Sequence, residues 1–343
     1  MSSLFSALGI DNMRDLTAAA TGLVSWRNFA LVLALLNLKN LPLAWHIRLL
    51  YHFIANLRLK PTAPFFPKGR AVVDAKGNST HPVFVPCSVY SRTPLLETDY
   101  NLHKSNSTYF TDLDVSRTAL VTRLFSPGIG LISKELDQEF LAASVKEGKN
   151  APKRLPVMVV LGSVYCSFKR EIKPYEKYEM QSSVISWDKK WMYILTAFLR
   201  PAKKAGGEKT LLATALSKYV VKKGRLTVSP ERILRIGGFL PERPEDSQLE
   251  SSAEASAIGT PASGEGITAT GVDGSLVREV LKISEDQIPD RETLEEKKKA
   301  NSDSWSPEEW PWEKIEQERL RGLDVVLPFI NMDGRLEHEV TGK

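Results

Sequence analysis

Residues 157–226 carry four strand-like runs with short joins between them, and nothing else in the chain constrains the fold as strongly. They read "VMVVLGSVYCSFKRE", "YEKYEMQSSVISWD", "KWMYILTAFLR" and "TLLATALSKYVVKKGRL". Neighbouring strands joined this tightly are expected to pair antiparallel. "WDKKW", residues 187–191, reads as a hairpin loop holding one acid and two lysines. Upstream, residues 107–124 repeat apolar side chains at helical spacing, with Phe110, Leu113, Leu120, Val121 and Leu124 on one stripe. Asn106 or Ser107 is suited to cap that helix, and Pro127 with Gly128 is expected to end it. A further strand is expected within "HPVFVPCSVYSRT", residues 81–93, with Pro86 marking an edge or bulge. One striped helix followed by long strands reads as an α+β fold in which a strongly curved antiparallel sheet covers the helix.

With 343 residues, 42% of them hydrophobic, the chain can build one sizeable domain with appendages, or two small domains. Its two cysteines, Cys87 and Cys166, exclude a disulfide-built scaffold and a cysteine-rich zinc module. Cys166 sits in strand-like "VYCSF" and reads as sheet filling. The five histidines are scattered, with no HExxH and no paired Cys–His spacing. Neither GxGxxG nor GxxxxGK[ST] is present. Charge is uneven. From Lys153 to Arg235 there are 18 Lys/Arg against 6 Asp/Glu, and from Glu242 to Asp303 the balance reverses to 7 against 15. The basic middle suits an anionic ligand, a membrane surface or simply a solvated rim. No recognition-type basic helix or stacking-aromatic motif accompanies it, which argues against nucleic acid as a partner.

Residues 1–60 form a hydrophobic, helix-prone region. The run Phe29–Leu36 is almost purely aliphatic, Asn37, Lys39, Asn40 and Pro42 interrupt it, and Leu43–Leu57 follows with His46, Arg48 and His52. Neither run has the uninterrupted length of a membrane span. The alternatives are helices lying in or against a membrane, helices packed on the main domain, or a genuine span or uncleaved anchor. Residues 241–283 are rich in Ser, Gly, Ala and Thr and read as a flexible insertion or linker. In the charged segment 284–343, Trp305, Trp310 and Trp312 bring enough apolar surface to dock the tail or bind a partner.

Just before the striped helix, "LETDYNLHKSNSTYFTDLDVSR" concentrates acids, a histidine and an asparagine. This corner resembles the D-x-D-x-x-x-H-x-N-N-A-x-Y pattern of hotdog-fold acyl-CoA thioesterases. Glu97 stands at the first aspartate, Asp99 keeps the second, and His103 keeps the histidine. Ser105 and Ser107 replace an asparagine and the alanine, while Asn106 and Tyr109 keep their residue types. "LDVSR", ending at Arg117, is similar to the end of the same motif. "SWDKKW", with Trp187, Asp188, Tyr193 and Phe198, and "SPERI" extend the likeness over residues 82–236. The nearest likeness is to the THEM6-like branch, which includes fungal thioesterase-like proteins linked to secondary metabolism.

The resemblance implies a hotdog domain over 82–236, one copy per chain, paired as a homodimer with its acyl-thioester site at the subunit interface. It implies an acyl-CoA or acyl-carrier-protein thioester as substrate and no cofactor, in the cytoplasm or on an intracellular membrane. Asp99 is the implied carboxylate, attacking the carbonyl or deprotonating water. Its bland alternative is a turn acid. His103 is a candidate base or a structural hydrogen-bonder. Glu97, Asn106, Ser107 and Tyr109 are candidate substrate contacts; Glu97 could instead bond the corner, Asn106 cap the helix and Tyr109 pack its start. The backbone around Asn106 and Ser107 is expected to polarise the thioester carbonyl. Arg170, Lys173, Lys189 and Lys190 are candidate partners for phosphates of the substrate. Arg117 reads as one half of an ion pair with Asp114 or Asp112.

Overall fold

The structure is a computed structural model that describes residues 25–57, 79–146, 155–202, 204, 207–224, 226–241, 299 and 305–342. The low-complexity stretch expected at 241–283 lies outside the described residues from position 242 onward.

The fold is α+β: an antiparallel sheet wrapped over one long helix, the hotdog arrangement. The strands are β1 (Cys87–Arg92), β2 (Val157–Phe168), β3 (Lys177–Trp187), β4 (Trp191–Arg200), β5 (Thr210–Lys223) and β6 (Leu226–Val228). Their order is β1-β3-β4-β5-β2, and β6 pairs with β5 beyond the end of β4. Helices α1 (Trp26–Leu36) and α2 (Ala44–Asn56) precede the sheet, and α3 (Thr108–Lys146) is the central helix. Helices α4 (Pro230–Ile236) and α5 (Trp312–Thr341) follow it.

The alternation of β4 shows why the sheet takes this shape. Met192, Ile194, Thr196 and Phe198 are all buried beneath α3, on one side of the pleat. On β5 the corresponding positions are small, with Ala213, Ala215 and Ser217 buried. The core has two apolar parts. Leu124, Phe125, Ile132 and Leu136 of α3 pack with Val184, Met192 and Ile194. Nearer the corner, Tyr109, Leu113, Val115 and Ala119 pack with Val89, Met180 and Phe198. Between them a buried hydroxyl chain crosses from helix to sheet: Ser116 to Ser182 at 2.8 Å and Ser182 to Thr196 at 2.7 Å. Arg117 is buried beside it, paired with Asp114 at 2.7 Å and donating to Ser217 Oγ at 2.8 Å.

Four local expectations need correction. The central helix does not end at Pro127 and Gly128 but runs 39 residues to Lys146. A proline in a helix costs about 3 kcal/mol. Burying Leu131, Ile132 and Leu136 beyond it contributes roughly 1.5–3 kcal/mol each, and burial wins. Gly128 is a packing contact instead of a stop: a Cβ there would lie 2.6 Å from the Ile233 carbonyl oxygen of α4. Second, the strand expected within 81–93 is confined to Cys87–Arg92, because Pro82–Phe84 form a 3-10 turn whose Val83 N–H meets His81 Nδ1 at 3.4 Å. Third, the run 210–226 turns at Gly224, where φ is +60°, giving two strands from one. Last, Phe110 leaves the stripe and is 41% exposed.

Helix α5 crosses the outer face of the sheet. Gly322 sits directly on β3, where an added Cβ would fall 1.8 Å from the Ile185 carbonyl oxygen, beside the irregularity between Val184 and Ser186. Ser186 Oγ donates to the Arg319 carbonyl at 2.7 Å, and Arg319 Nη1 to the Trp187 carbonyl at 2.7 Å. Just before α5, Trp310 is buried and Trp305 Nε1 donates to the Gly238 carbonyl at 3.1 Å.

Candidate active site

The corner is a closed loop between β1 and α3. Thr98 and Lys104 form an isolated antiparallel bridge. Inside it the Asp99 N–H donates to the His103 carbonyl at 2.9 Å, and the Leu102 N–H to the Asp99 carbonyl at 3.0 Å. Leu102 has φ of +60°, a left-handed conformation that costs a branched side chain about 1 kcal/mol or more. Asp99 makes the turn tolerable: its Oδ1 accepts from the Asn101 N–H at 2.9 Å and the His103 N–H at 3.4 Å. The carboxylate is half-buried, and among the described residues its Oδ2 is not engaged. His103 contributes its backbone to the loop and holds its ring half-buried beside it.

Two further bonds seat this loop on the domain: Ser105 N–H to the Glu97 carbonyl at 2.7 Å and Lys104 N–H to the Ile172 carbonyl at 2.8 Å. The start of α3 is wound tightly, with the N–H groups of Thr108, Tyr109 and Phe110 turned toward the carbonyls of Ser105, Asn106 and Ser107. The side chains of Asn106 and Ser107 are exposed, and Ser107 Oγ lies 3.1 Å from Ser105 Oγ. Tyr109 is buried, its ring 4.9 Å from those of both Phe168 and Phe198. Burial pushes its phenol pKa far up. The structure therefore places Asp99, His103, Asn106 and Ser107 around the loop and helix start, and Tyr109 beneath them in the core.

Glu97 faces the other way, into a buried ion cluster. It pairs with Lys104 at 2.7 Å and Lys39 at 2.8 Å. Lys39 and Lys104 each also reach Asp112 at 2.9 Å, and Arg48 reaches it at 3.1 Å. Tyr178 donates its hydroxyl to Asp112 at 2.5 Å. Burial alone would raise the Asp112 pKa, but Lys39, Lys104 and Arg48 outweigh it and hold the carboxyl well below the usual range. For Lys39 burial dominates and lowers its pKa, against the pull of Asp112 and Glu97. Three cations thus enclose two carboxylates, and two of those cations come from the N-terminal region.

The sequence between Thr93 and Leu234 matches the family model described as Thioesterase-like superfamily, over residues 93–234. Thioesterase lcsJ of Purpureocillium lilacinum is 35% identical over 327 residues, spanning 91% of this chain and 92% of the relative. The chain belongs to the thioesterase-like superfamily. Thioesterase poxG of Penicillium oxalicum is 34% identical over 250 residues, covering 67% of this chain and 76% of the relative. Among solved structures, a gentisyl-coenzyme A thioesterase aligns at 12% identity over 44% of this chain and 97% of its own, with a TM-score of 0.29.

For this thioesterase-like chain, sequence reading brought out the loop acid and missed the ion cluster. Lys39 and Asp112 are 73 residues apart and share no motif. One signal was present: Lys39 is the sole charged residue between Arg27 and Arg48, in an otherwise apolar stretch. A lysine placed there either meets water or a buried acid. Among the described residues no group of His, Cys, Asp and Glu is arranged to hold a metal ion.

Proposed function

We propose that the protein hydrolyses an acyl thioester, with Asp99 as the reacting carboxylate. The observation that carries this reading is the Oδ2 of Asp99, which no described residue engages, held in a hydrogen-bonded loop directly before the N-terminus of α3 in a chain of the thioesterase-like superfamily. Asp99 either attacks the carbonyl carbon, expelling the thiolate and leaving an anhydride for water to open, or takes a proton from the attacking water. The backbone N–H groups of Asn106 and Ser107 lie just outside the helix start and serve as donors to the carbonyl oxygen as it gains charge. His103 orients the loop or the water. Glu97, although it fits the family corner, supports Lys104 and Lys39 instead of touching substrate.

The substrate is an acyl-CoA or a carrier-protein-linked acyl chain, with Arg170 and Lys173 on the corner side of the sheet as the phosphate partners; Lys189 and Lys190, in the hairpin at the far end of β3, are not grouped with them. Release of a product in fungal secondary metabolism, and membership of the THEM6-like branch, are the finer readings that the sequence resemblance supports. A homodimer is supported by β2, which pairs with β5 along one edge and leaves Leu161, Tyr165 and Phe168 exposed. Two such edges meeting would join the sheets of two copies. The N-terminal helices supply a surface suited to a membrane.

The test is thiol release across acyl-CoAs of several chain lengths and one carrier-linked chain. Turnover with at least one class is expected, and Asp99→Asn is expected to lower it roughly 100-fold or more. Ligand binding without turnover across the whole panel would instead identify a noncatalytic acyl-binding hotdog protein. In that case the Ser105 and Ser107 replacements in the corner are the first suspects.

A further inference from the structure

Among the described residues, none encloses helix α1. Trp26, Phe29, Leu31, Val32, Leu35 and Leu36 are all exposed, Trp26 by 78%, and no residue of the helix is buried. A helix that is apolar all round belongs in a core or a membrane. At 11 residues it is about 16 Å long, half the roughly 30 Å of a hydrocarbon layer, and no described helix is long and apolar enough to cross a bilayer. Helix α2 repeats the pattern on one side, where Ile47, Tyr51 and Ile54 are exposed.

The attachment of this helical pair to the domain is directed at the corner. The Leu96 N–H donates to Asn37 Oδ1 at 2.8 Å, which sets exposed Leu96 beside the turn carrying exposed Leu38 and Leu41. Lys39 enters the domain to meet Glu97 and Asp112, and Arg48 also reaches Asp112. Trp45 Nε1 donates to the Thr111 carbonyl in the first turn of α3 at 3.2 Å. The corner loop then presents its own large side chains: Tyr100 is 93% exposed and Leu102 68%.

We propose that α1, α2 and the corner loop 95–102 form one bilayer-docking face, so that the corner meets acyl thioesters at the lipid surface. The ion cluster around Lys39 is the clamp that fixes this face to the corner. The choice of a bilayer over a second copy of the chain rests on shape and charge. A protein partner would cover one side of α1, whereas beyond Arg27 and Asn28 in its first turn apolar residues surround it. Residues 16–73 contain seven Lys/Arg and no Asp or Glu; Lys39 and Arg48 are engaged in the ion cluster, and the remaining five suit an anionic leaflet. Tyr51, Tyr100 and Trp26 are amphipathic rings suited to the headgroup region. The substrate class follows: an amphiphilic long-chain thioester whose tail lies in the membrane. That last step rests on the hydrolase reading, and the docking face does not.

The experiment sediments the purified full chain with vesicles of phosphatidylcholine, with and without phosphatidylserine, and measures thiol release from a water-soluble short acyl-CoA and a vesicle-loaded long acyl-CoA. The wild type is expected to bind vesicles, more tightly with phosphatidylserine. Leu31→Glu/Leu35→Glu, at exposed positions, is expected to lose roughly 10-fold or more in binding and in long-chain turnover, with short-chain turnover unchanged. Tyr100→Ser/Leu102→Ser is expected to weaken vesicle binding several-fold while the chain stays folded. A wild type left in the supernatant with both vesicle types overturns the proposal. So does corner-variant binding equal to wild type, or a helix variant that changes only the oligomeric state in light scattering. Vesicle binding with no turnover of either thioester upholds the docking face and removes the hydrolase reading.

Discussion

The two ends of the chain are attached to the domain by opposite physics, one at the corner and α3, the other on β3. The N-terminal pair α1–α2 buries none of its helical residues and holds on through Asn37, Lys39, Trp45 and Arg48. The C-terminal segment holds on by burial, with Trp310, Ile315 and Val326 inside and Gly322 against the backbone of β3. Attachment by burial is non-directional and roughly proportional to apolar area. Attachment by a few ion pairs depends on each charge keeping its partner, because a buried charge left alone is costly. The C-terminal helix is therefore part of the fold, whereas the N-terminal pair is a mounted device whose alignment is set at the corner.

The largest effect expected from this contrast is at the C-terminal end. Trp310→Ala removes a buried ring from the first core cluster and should cost about 3–5 kcal/mol, read as a lower unfolding midpoint in denaturant. A loss below about 1 kcal/mol would show that the tail is only laid on the surface. Next comes Lys39→Met, which leaves Glu97 and Asp112 with Lys104 and Arg48 as their remaining cations. It should cost roughly 1–3 kcal/mol and loosen α1–α2, measured as faster hydrogen exchange in residues 26–56 with little change in β4 and β5. Equal change everywhere would erase the distinction between the two attachments.

A smaller effect is titratable. His81 sits in an aromatic box with Trp305 at 4.9 Å and Trp310 at 5.7 Å, and burial lowers its pKa to about 3. Its ordinary value is about 6.5, so between those limits the unfolded chain binds a proton that the folded chain refuses. Stability must then rise with pH across that window, and fall on acidification by at most about 1.4 kcal/mol per pH unit from this group. Comparing denaturant midpoints at neutral and mildly acid pH, His81→Phe should lose less than the wild type. Parallel losses would place the acid sensitivity elsewhere.

Sequence made the sheet legible because its signals are local. Asp188 in "WDKKW" accepts from the N–H groups of Lys190 and Trp191 at 2.7 and 2.6 Å and from Tyr193 Oη at 2.7 Å, so one residue builds the hairpin that the motif announced. The pairing of Arg117 with Asp114 was legible for the same reason, being three residues apart on one helix. The length of α3 was not. Pro127 and Gly128 carry strong local meaning, and the burial of Leu131, Ile132 and Leu136 beyond them overrides it. The direction of Glu97 was hidden too. Its near neighbour in sequence, Asp99, faces the loop, whereas Glu97 turns inward to meet Lys104 from the same corner and Lys39 from 58 residues away.

That split between two acids in one corner is the centre of the account, and one paired measurement tests it. Asp99→Asn and Glu97→Gln are compared for thiol-release rate and for unfolding midpoint under the same conditions. Asp99→Asn should lose roughly 100-fold or more in turnover with a midpoint close to wild type, because an amide oxygen still accepts the Asn101 N–H. Glu97→Gln should lose about 3 kcal/mol of stability while the folded fraction keeps most of its turnover. The reverse pattern, with Asp99→Asn active and Glu97→Gln stable but inactive, would contradict the assignment of chemistry to Asp99 and support to Glu97.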